Sequence, residues 1–576
     1  MRSDLSQLPD IGDWPSLLDV LPARIQADVR AGRYQGDLSA AMREAVETGR
    51  DFTIPAGTYP IAGGIIEMRK PGQRIVGTGG LLRRLPLRDG VGLLVSAADV
   101  VIYNLRMDGT AAAVENNQIN DMVRVVGDGC TLVDLLVHGA WGSNLRLDGV
   151  RNCHVVRPVL TDAYQNNLLI CNAPTQDIRI DNPICHRTVT QNNIFVTASD
   201  ASTNNGHSIF RVTINNPLCT DAGDTAIELG YHSFDCTVEG GRVVNSYHPG
   251  LLQRDGRRNR WIGTIVENKK LSEQHGDYDG VAVVPQWEAP SWDSDSEFNG
   301  IVVKGQSRRA AYYWGQSGIR RINCVADAFA LGDGPVRAGP NRIGSGDMKA
   351  GAVSRILFRG GAVRGYAIGD NWNYDSRPYD RADCLTDGVV FEQCAQILNC
   401  YNIAPKHSAI INNTGKDNIV NEIMLLAARL WPSDDNPDVG LTYYNNSFSG
   451  SSGQQRLMIL LPPGAPPVEG LLLSRNSRFL RIAPDRPTVV DICDTAGLYS
   501  IYAETMRINF TLAASASGIS LLGSPKVSGS GSGKNDFHIA VENGKLLLHQ
   551  QNAQNGARWI HISGPGIRGI ANAGTT

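Results

Sequence analysis

Residues 178–193 read IRIDNPICHRTVTQNN, and 212–226 repeat the phrase as VTINNPLCTDAGDTA. In both, β-type hydrophobes lead into Asn-Pro, then an aliphatic residue, then cysteine. Residues 155–167, VVRPVLTDAYQNN, are a looser third version with its proline at Pro158. Aligning the copies on the aliphatic residue after each following turn gives Leu145, Leu168, Ile194, Ile227 and Leu251, with steps of 23, 26, 33 and 24 residues. A period in the twenties with strand patterning and no helical signature predicts a solenoid of β-coils. No coil can bury its apolar face alone. Stacking at the strand spacing of about 4.8 Å pairs each strand with the next and closes a continuous interior.

Asn-Pro belongs at a corner of such a coil. Asparagine tolerates unusual backbone angles, and proline fixes φ while needing no ladder donor. Asn182, Pro183, Asn216 and Pro217 therefore read as structure, not chemistry. Cys185 and Cys219 fall at equivalent positions, so buried, reduced, stacked thiols are expected in place of a disulfide framework. The chain holds eleven cysteines and no CxxC pair.

Bulk composition agrees. Hydrophobic residues make up 42% of the 576, enough for a real core, and 62 glycines suit short strands with tight corners. A net charge of -3 argues against a nucleic-acid partner. The start, MRSDLSQLPDIGDWPSLLDV, lacks an apolar signal region, and no apolar run of spanning length occurs, so membrane insertion is not expected.

Residues 36–61, GDLSAAMREAVETGRDFTIPAGTYPI, predict a capped amphipathic helix from Leu38 to Thr48, then a strand and a PAGTY turn, Pro55–Tyr59. A helix there would plug the apolar end of the first coil. With the coils, this stretch resembles the pectate-lyase-like right-handed parallel β-helix superfamily. The resemblance implies an all-β solenoid with an N-terminal capping helix. Coil-like phrases run to about residue 430, and WPSDDNPD reads as a linker. LMILLPPGAPPVEGLLL, INFTLAASASGISLL, FHIAVENGKLLLHQQ and ARWIHIS then predict an antiparallel, sandwich-like C-terminal domain. The expected division is 1–35 for attachment or docking, 36–430 for the β-helix, and 431–576 for capping, oligomerisation or glycan contact.

Candidate chemistry follows from columns. With the aligned aliphatic inward, odd offsets along an extended strand point outward. Three before it stand Gly142, Gln165, Gln191, Asp224 and His248; six before it, near a bend that leaves direction open, stand Gly139, Asp162, Thr188, Asp221 and Asn245. One after it stand Arg146, Leu169, Phe195, Glu228 and Leu252; three after it, Asp148, Cys171, Thr197, Gly230 and Arg254. The copy TDAGDTAIELG thus carries Asp221, Asp224 and Glu228, with His248 stacked over Asp224 and Arg254 on the same side. Glycosidic hydrolysis needs one protonated and one ionised carboxyl, and neighbouring acids or a histidine can split the pKa values that way. Asp221, Asp224, Glu228 and His248 are the candidate catalytic residues; the plainer alternative is a solvated face beside an Asp-Gly turn.

AGDTAIELG also resembles the polygalacturonase-type glycoside hydrolases, which implies Asp224 as an acid/base carboxylate with His248 beside it. This chain has Gln191-Asn192-Asn193 where that pattern has an acid, and no Gly-His-Gly. Acid pairs three apart, as in Asp221 and Asp224, occur in bacteriophage tailspikes that cut host polysaccharide. That resemblance implies a homotrimer at a virion tail, docked on another tail protein or released without a cleaved signal, acting on capsule, exopolysaccharide or O-antigen.

The candidate substrate-binding residues are Arg254, Asp162, Trp287, Glu288, Trp292, Trp372 and Tyr374. The last five lie in two excursions, VVPQWEAPSWDSDSEF and GDNWNYDSRPYD, where aromatic faces sit among acids as a sugar cleft requires. The alternative is that these aromatics staple loops to the wall. DSDSE could hold Ca²⁺ but lacks EF-hand spacing, so no metal or cofactor is expected. A lyase acting on uronic acids, with Arg254 or His248 as base, and a non-catalytic glycan-binding fibre are the rival functions.

Overall fold

The computed structural model describes residues 10–572 with interruptions, the longest at 110–119, 199–207, 269–278, 286–291, 332–344, 373–378, 427–440, 461–471, 530–536 and 551–557. Two units are distinguished, Met1–Tyr312 with Ala330–Gly332, and Tyr313–Phe329 with Asp333–Thr576.

In the first unit a helix over Ser39–Glu47 buries Met42, Ala45 and Val46. Asp37 anchors its start, accepting from Ser39 N at 2.9 Å and from Ala62 N at 2.8 Å. The sequence placed this helix correctly and missed a preceding one, Ala23–Arg30. Strands Phe52–Ile61 and Arg74–Arg84 then pair in parallel and open the coils.

Each coil contributes three strands. One, such as Leu145–Asp148, Leu168–Cys171, Ile194–Thr197, Ile227–Leu229 or Leu251–Arg254, joins what is called here the site ladder. The other two, such as Gln176–Asp181 and Ile184–Thr188, stack in parallel with their counterparts to form a second wall. The register of the site ladder pairs Leu145 with Leu168, then Ile194, Ile227 and Leu251, the alignment that the repeat predicts. All five are fully buried. This is a parallel β-helix, and parallel crossovers of this kind are right-handed.

The corners explain the repeated phrase. Asn182 and Asn216 adopt φ of 51° and 48°, left-handed values in line with Asn104, Asp134, Arg157 and then Gly240 and Gly263. Asparagine and glycine are the residues that visit this region at least cost. Every link between the paired second-wall strands here is two residues long, as in Asn182-Pro183 and Gly240-Gly241. The longer connections, as from Asp108 to Val123, Thr197 to Ile209 and Asn268 to Asp279, enter or leave the site ladder instead. Cys185 pairs with Cys219, both buried and unbridged.

Asparagines also line the lumen. Asn144 Nδ2 donates to Asn167 Oδ1 at 2.7 Å, and Asn167 Nδ2 to Asn193 Oδ1 at 2.7 Å. All three are fully buried, which satisfies amide groups that would otherwise be costly inside.

The second unit continues with parallel strands, among them Ser345–Ala350, Ile368–Asn371 and Gln396–Cys400. Parallel pairing persists through Gln455–Leu460, so LMILL belongs to the coils and not to the sandwich that the sequence suggested. Two antiparallel sheets follow, six strands drawn from Leu472–Ser563 and four from Thr488–Asn572. Among the buried apolar residues of this unit's coils lies a charged cluster. Lys349 Nζ lies 2.6 Å from Asp370 Oδ1 and 3.8 Å from Asp347 Oδ2, and Arg321 pairs with Asp347. Trp372, expected in a sugar-binding loop, is fully buried in this cluster, its Nε1 donating to Asp370 Oδ2 at 2.8 Å. Its indole supplies the donor that a buried carboxylate requires, so it is withdrawn from the binding residues.

Candidate active site

The strand Ile227–Leu229 carries Glu228 between Phe195 and Leu252 on its two neighbours. Ile227 and Leu229 fill the interior, so alternation turns Glu228 to the other side. The outward direction agrees with the sequence reading, but the side chain is covered: Glu228 is only 3% exposed.

Its contacts are few and specific. Asn192 Nδ2 donates to Glu228 Oε2 at 2.8 Å, and Arg254 Nε stands 3.4 Å from Oε1. Oε1 is buried and, among the described residues, accepts no hydrogen bond. Burial pushes the Glu228 carboxyl above its ordinary range; Arg254 and the Asn192 bond oppose the shift, and Asp224 reinforces it. Gly230 leaves the space beside this carboxylate: a Cβ there would come within 3.0 Å of Oε1.

Asn192 is held in turn. Its Oδ1 accepts from Thr225 N at 3.1 Å and its own N donates to Asn166 Oδ1 at 3.2 Å, fixing the amide so that Nδ2 faces Glu228. Arg254 Nη1 donates to the Tyr231 hydroxyl at 2.8 Å and its guanidinium lies 5.4 Å from that ring. The arginine is thereby oriented from two sides.

Asp224 belongs to the same charged group, since its charge acts on both Glu228 and Arg254. It is half-buried in the turn before the strand. Its backbone stacks between Gln191 and His248: Asp224 N donates to Gln191 O and His248 N to Asp224 O, each at 3.1 Å. The His248 ring packs edge-on against Tyr247, centroids 4.9 Å apart.

Asp221 is not part of this group. At φ 51° it closes the second-wall strand Leu218–Ala222, accepting from Asn245 Nδ2 at 3.2 Å with His186 Nδ1 3.7 Å away. It aligns with Asp162, φ 60°, which is 3.0 Å from His138 Nδ1 and paired with Arg187. Thr188 was expected in that column; the register pairs it with Ala163 and puts Arg187, φ 49°, opposite Asp162. A left-handed residue there turns the alternation by one place. Trp287, Glu288 and Tyr374 lie outside the described residues, as does the Trp292 side chain, although Trp292–Asp293 forms a short strand.

Of the residues singled out from the sequence, the structure brings Glu228, Asp224 and Arg254 together, and beside them it sets Asn192, Tyr231 and Gly230, which were not among the candidates. Asn192 sits in the very stretch noted for lacking an acid. The signal available was its place one coil before Glu228, from which an amide can reach the carboxylate. Chemically, the site offers a buried carboxyl biased toward its protonated form, a second carboxylate nearby and a fixed guanidinium.

No family model and no curated protein matches this chain. Among solved structures, it is similar to the A-module of an Azotobacter vinelandii mannuronan C-5 epimerase at 12% identity, covering 70% of this chain and 99% of the other with a TM-score of 0.39. The tailspike protein of Escherichia coli bacteriophage HK620, a mutant in complex with a pentasaccharide, matches at 11% identity over 96% and 93%, TM-score 0.39. The tailspike of Acinetobacter baumannii bacteriophage Fri1, a capsular polysaccharide depolymerase, matches at 10% over 98% and 88%, TM-score 0.30.

Proposed function

We propose that the chain is a polysaccharide-cleaving glycoside hydrolase in which Glu228 is the general acid and Asp224 the assisting carboxylate. The observation that carries this reading is Glu228 itself: a buried carboxyl with an unbonded Oε1 and a pKa raised by desolvation beside a second acid. A general acid must hold its proton near the working pH and present it to the leaving oxygen. Among the described residues, Asn192 holds Oε2 and leaves Oε1 without a hydrogen-bond donor, so in this reading Oε1 carries the transferable proton. Asp224, half-exposed, is placed to act on water or the sugar. Arg254 steadies the negative charge left on Glu228 after proton transfer.

In this reading the natural substrate is a bacterial capsule, exopolysaccharide or O-antigen, and the working form is a homotrimeric, tailspike-like depolymerase at a virion tail. The test is reducing-end release and size shift on purified bacterial surface polysaccharides. Glu228→Gln is expected to lower turnover by about 10²–10⁴-fold, the usual worth of a positioned acid, with folding and glycan binding retained; Asp224→Asn should also impair it. Full cleavage by Glu228→Gln would refute the assignment. An absorbance rise from an unsaturated uronate would replace hydrolase with lyase, and binding without cleavage on every glycan would leave a receptor fibre.

A further inference from the structure

The outward column holding Glu228 continues toward the N-terminus, and its register is unbroken: Glu228 pairs with Phe195, Phe195 with Leu169, Leu169 with Arg146, and Arg146 with Arg124. The floor of this face therefore runs from a carboxyl, across two apolar side chains, to two stacked arginines. At the strand spacing, Arg146 lies about 14 Å and Arg124 about 19 Å from Glu228.

Two guanidiniums on adjacent rungs repel, and they share one carboxylate. Asp148 Oδ2 pairs with Arg124 and lies 3.2 Å from Arg146 Nη2; Asp121 Oδ2 is 3.6 Å from Arg146 Nη1. Asn172 also donates to Asp148, and buried Arg84 donates to Asp121 O at 3.3 Å and to Gly90 O. Arg84 bonds backbone carbonyls but feels the Asp121 charge, so three guanidiniums share two carboxylates. Arg124 Nε, Arg146 Nε and Asn120 Nδ2 are buried with no hydrogen-bond partner among the described residues. Unpaired buried donors are costly and ask for a missing acceptor. Yet the Arg124 side chain is 34% exposed and that of Arg146 15%, so solvent reaches the pair. On the turns leading into the strands of Arg146 and Leu169, Trp141 and Tyr164 stack with centroids 4.0 Å apart and planes 7° from parallel. Neither is fully buried.

We infer that Arg124 and Arg146 form a subsite for the carboxylate of an acidic sugar, three to four rungs from the cleaved bond, so that the substrate is a carboxylate-bearing glycan. Paired forks suit a planar carboxylate, and the Trp141–Tyr164 stack offers the apolar face on which a sugar ring rests. This inference rests on the polysaccharide reading of Glu228.

The test uses the full chain carrying Glu228→Gln, titrated calorimetrically with oligomers of uronate-bearing bacterial surface polysaccharides and with the same oligomers after their carboxyls are reduced to alcohols. The acidic form should bind at least tenfold tighter, with the preference fading as salt is raised. Adding Arg124→Gln should remove most of it, while Arg124→Lys keeps a part, since charge survives and the fork does not. Melting curves confirm that each variant is folded; should Arg124→Gln unfold, Arg124→Lys and the salt series carry the test. Equal affinity for acidic and reduced oligomers, a preference untouched by Arg124→Gln, or no binding by any acidic oligomer would overturn the subsite. Cleavage without acidic preference refutes the subsite alone; acidic preference without cleavage by wild type refutes the hydrolase alone.

Discussion

Glu228 was legible as an acid on the outward side of a coil, because alternation fixes direction once one inward residue is known. Its burial was not legible, since cover comes from segments distant in sequence, and burial is what makes the carboxyl chemically useful. The same shift has a consequence for stability. A carboxyl whose folded pKa stands above its unfolded value of about 4.5 favours the fold in its protonated form. That advantage is complete below the unfolded value and lost as pH rises through the folded one. Glu228→Gln, permanently neutral, should therefore gain in thermal stability relative to wild type as pH increases from acid to neutral, and wild-type turnover should fall on the alkaline side of the same transition. A stability difference independent of pH would mean that Glu228 ionises as freely in the fold as in the unfolded chain. Asp221, at a bend where the sequence left direction open, and Asp162 both stand at left-handed positions, which move a side chain out of the alternation.

At the scale of the corner, Asn-Pro was read for the right reason; the site-ladder register followed from the aliphatic alignment, while the second wall shifted by one place at Arg187. The left-handed angle at Asn216 predicts an asymmetric response. Asn216→Ala should lose about 1–2 kcal/mol, the penalty of that conformation for a residue with a Cβ and no compensating side-chain bond. Asn216→Gly, matching Gly240 one coil on, should cost well under half as much. Denaturant melts of the two variants check this, and equal losses would mean that the angle is not what selects asparagine. The lumen ladder of Asn144, Asn167 and Asn193 escaped notice because Asn-rich turns look alike whether their amides face water or one another. The N-terminal helix was visible through its periodicity and the acid before it, whereas Ala23–Arg30, with only Val29 buried, shows too faint an apolar stripe to read.

Across the molecule, the repeat announced a solenoid but not what fills it. A charged cluster set among the apolar residues of the second unit was not foreseen, and it turned an apparent sugar-binding tryptophan into a structural one. Burial pushes the Asp347 carboxyl up, with Arg321 and then Lys349 opposing it. Lys349→Met removes the cation between two buried acids and should destabilise the fold by about 3–5 kcal/mol, as losing one partner of a buried pair does. An unchanged melting temperature would show that the cluster is not closed as described. In the first unit, connection length differs between the two walls. The longer connections between strands, as from Asp108 to Val123, Thr197 to Ile209 and Asn268 to Asp279, each enter or leave the wall that bears Glu228, while the second-wall corners keep two-residue links. Such a chain can be inherited in two parts, a spine whose register tolerates no insertion and a set of rim segments exchangeable by recombination. Relatives would then diverge in what they recognise long before they diverge in how they are built.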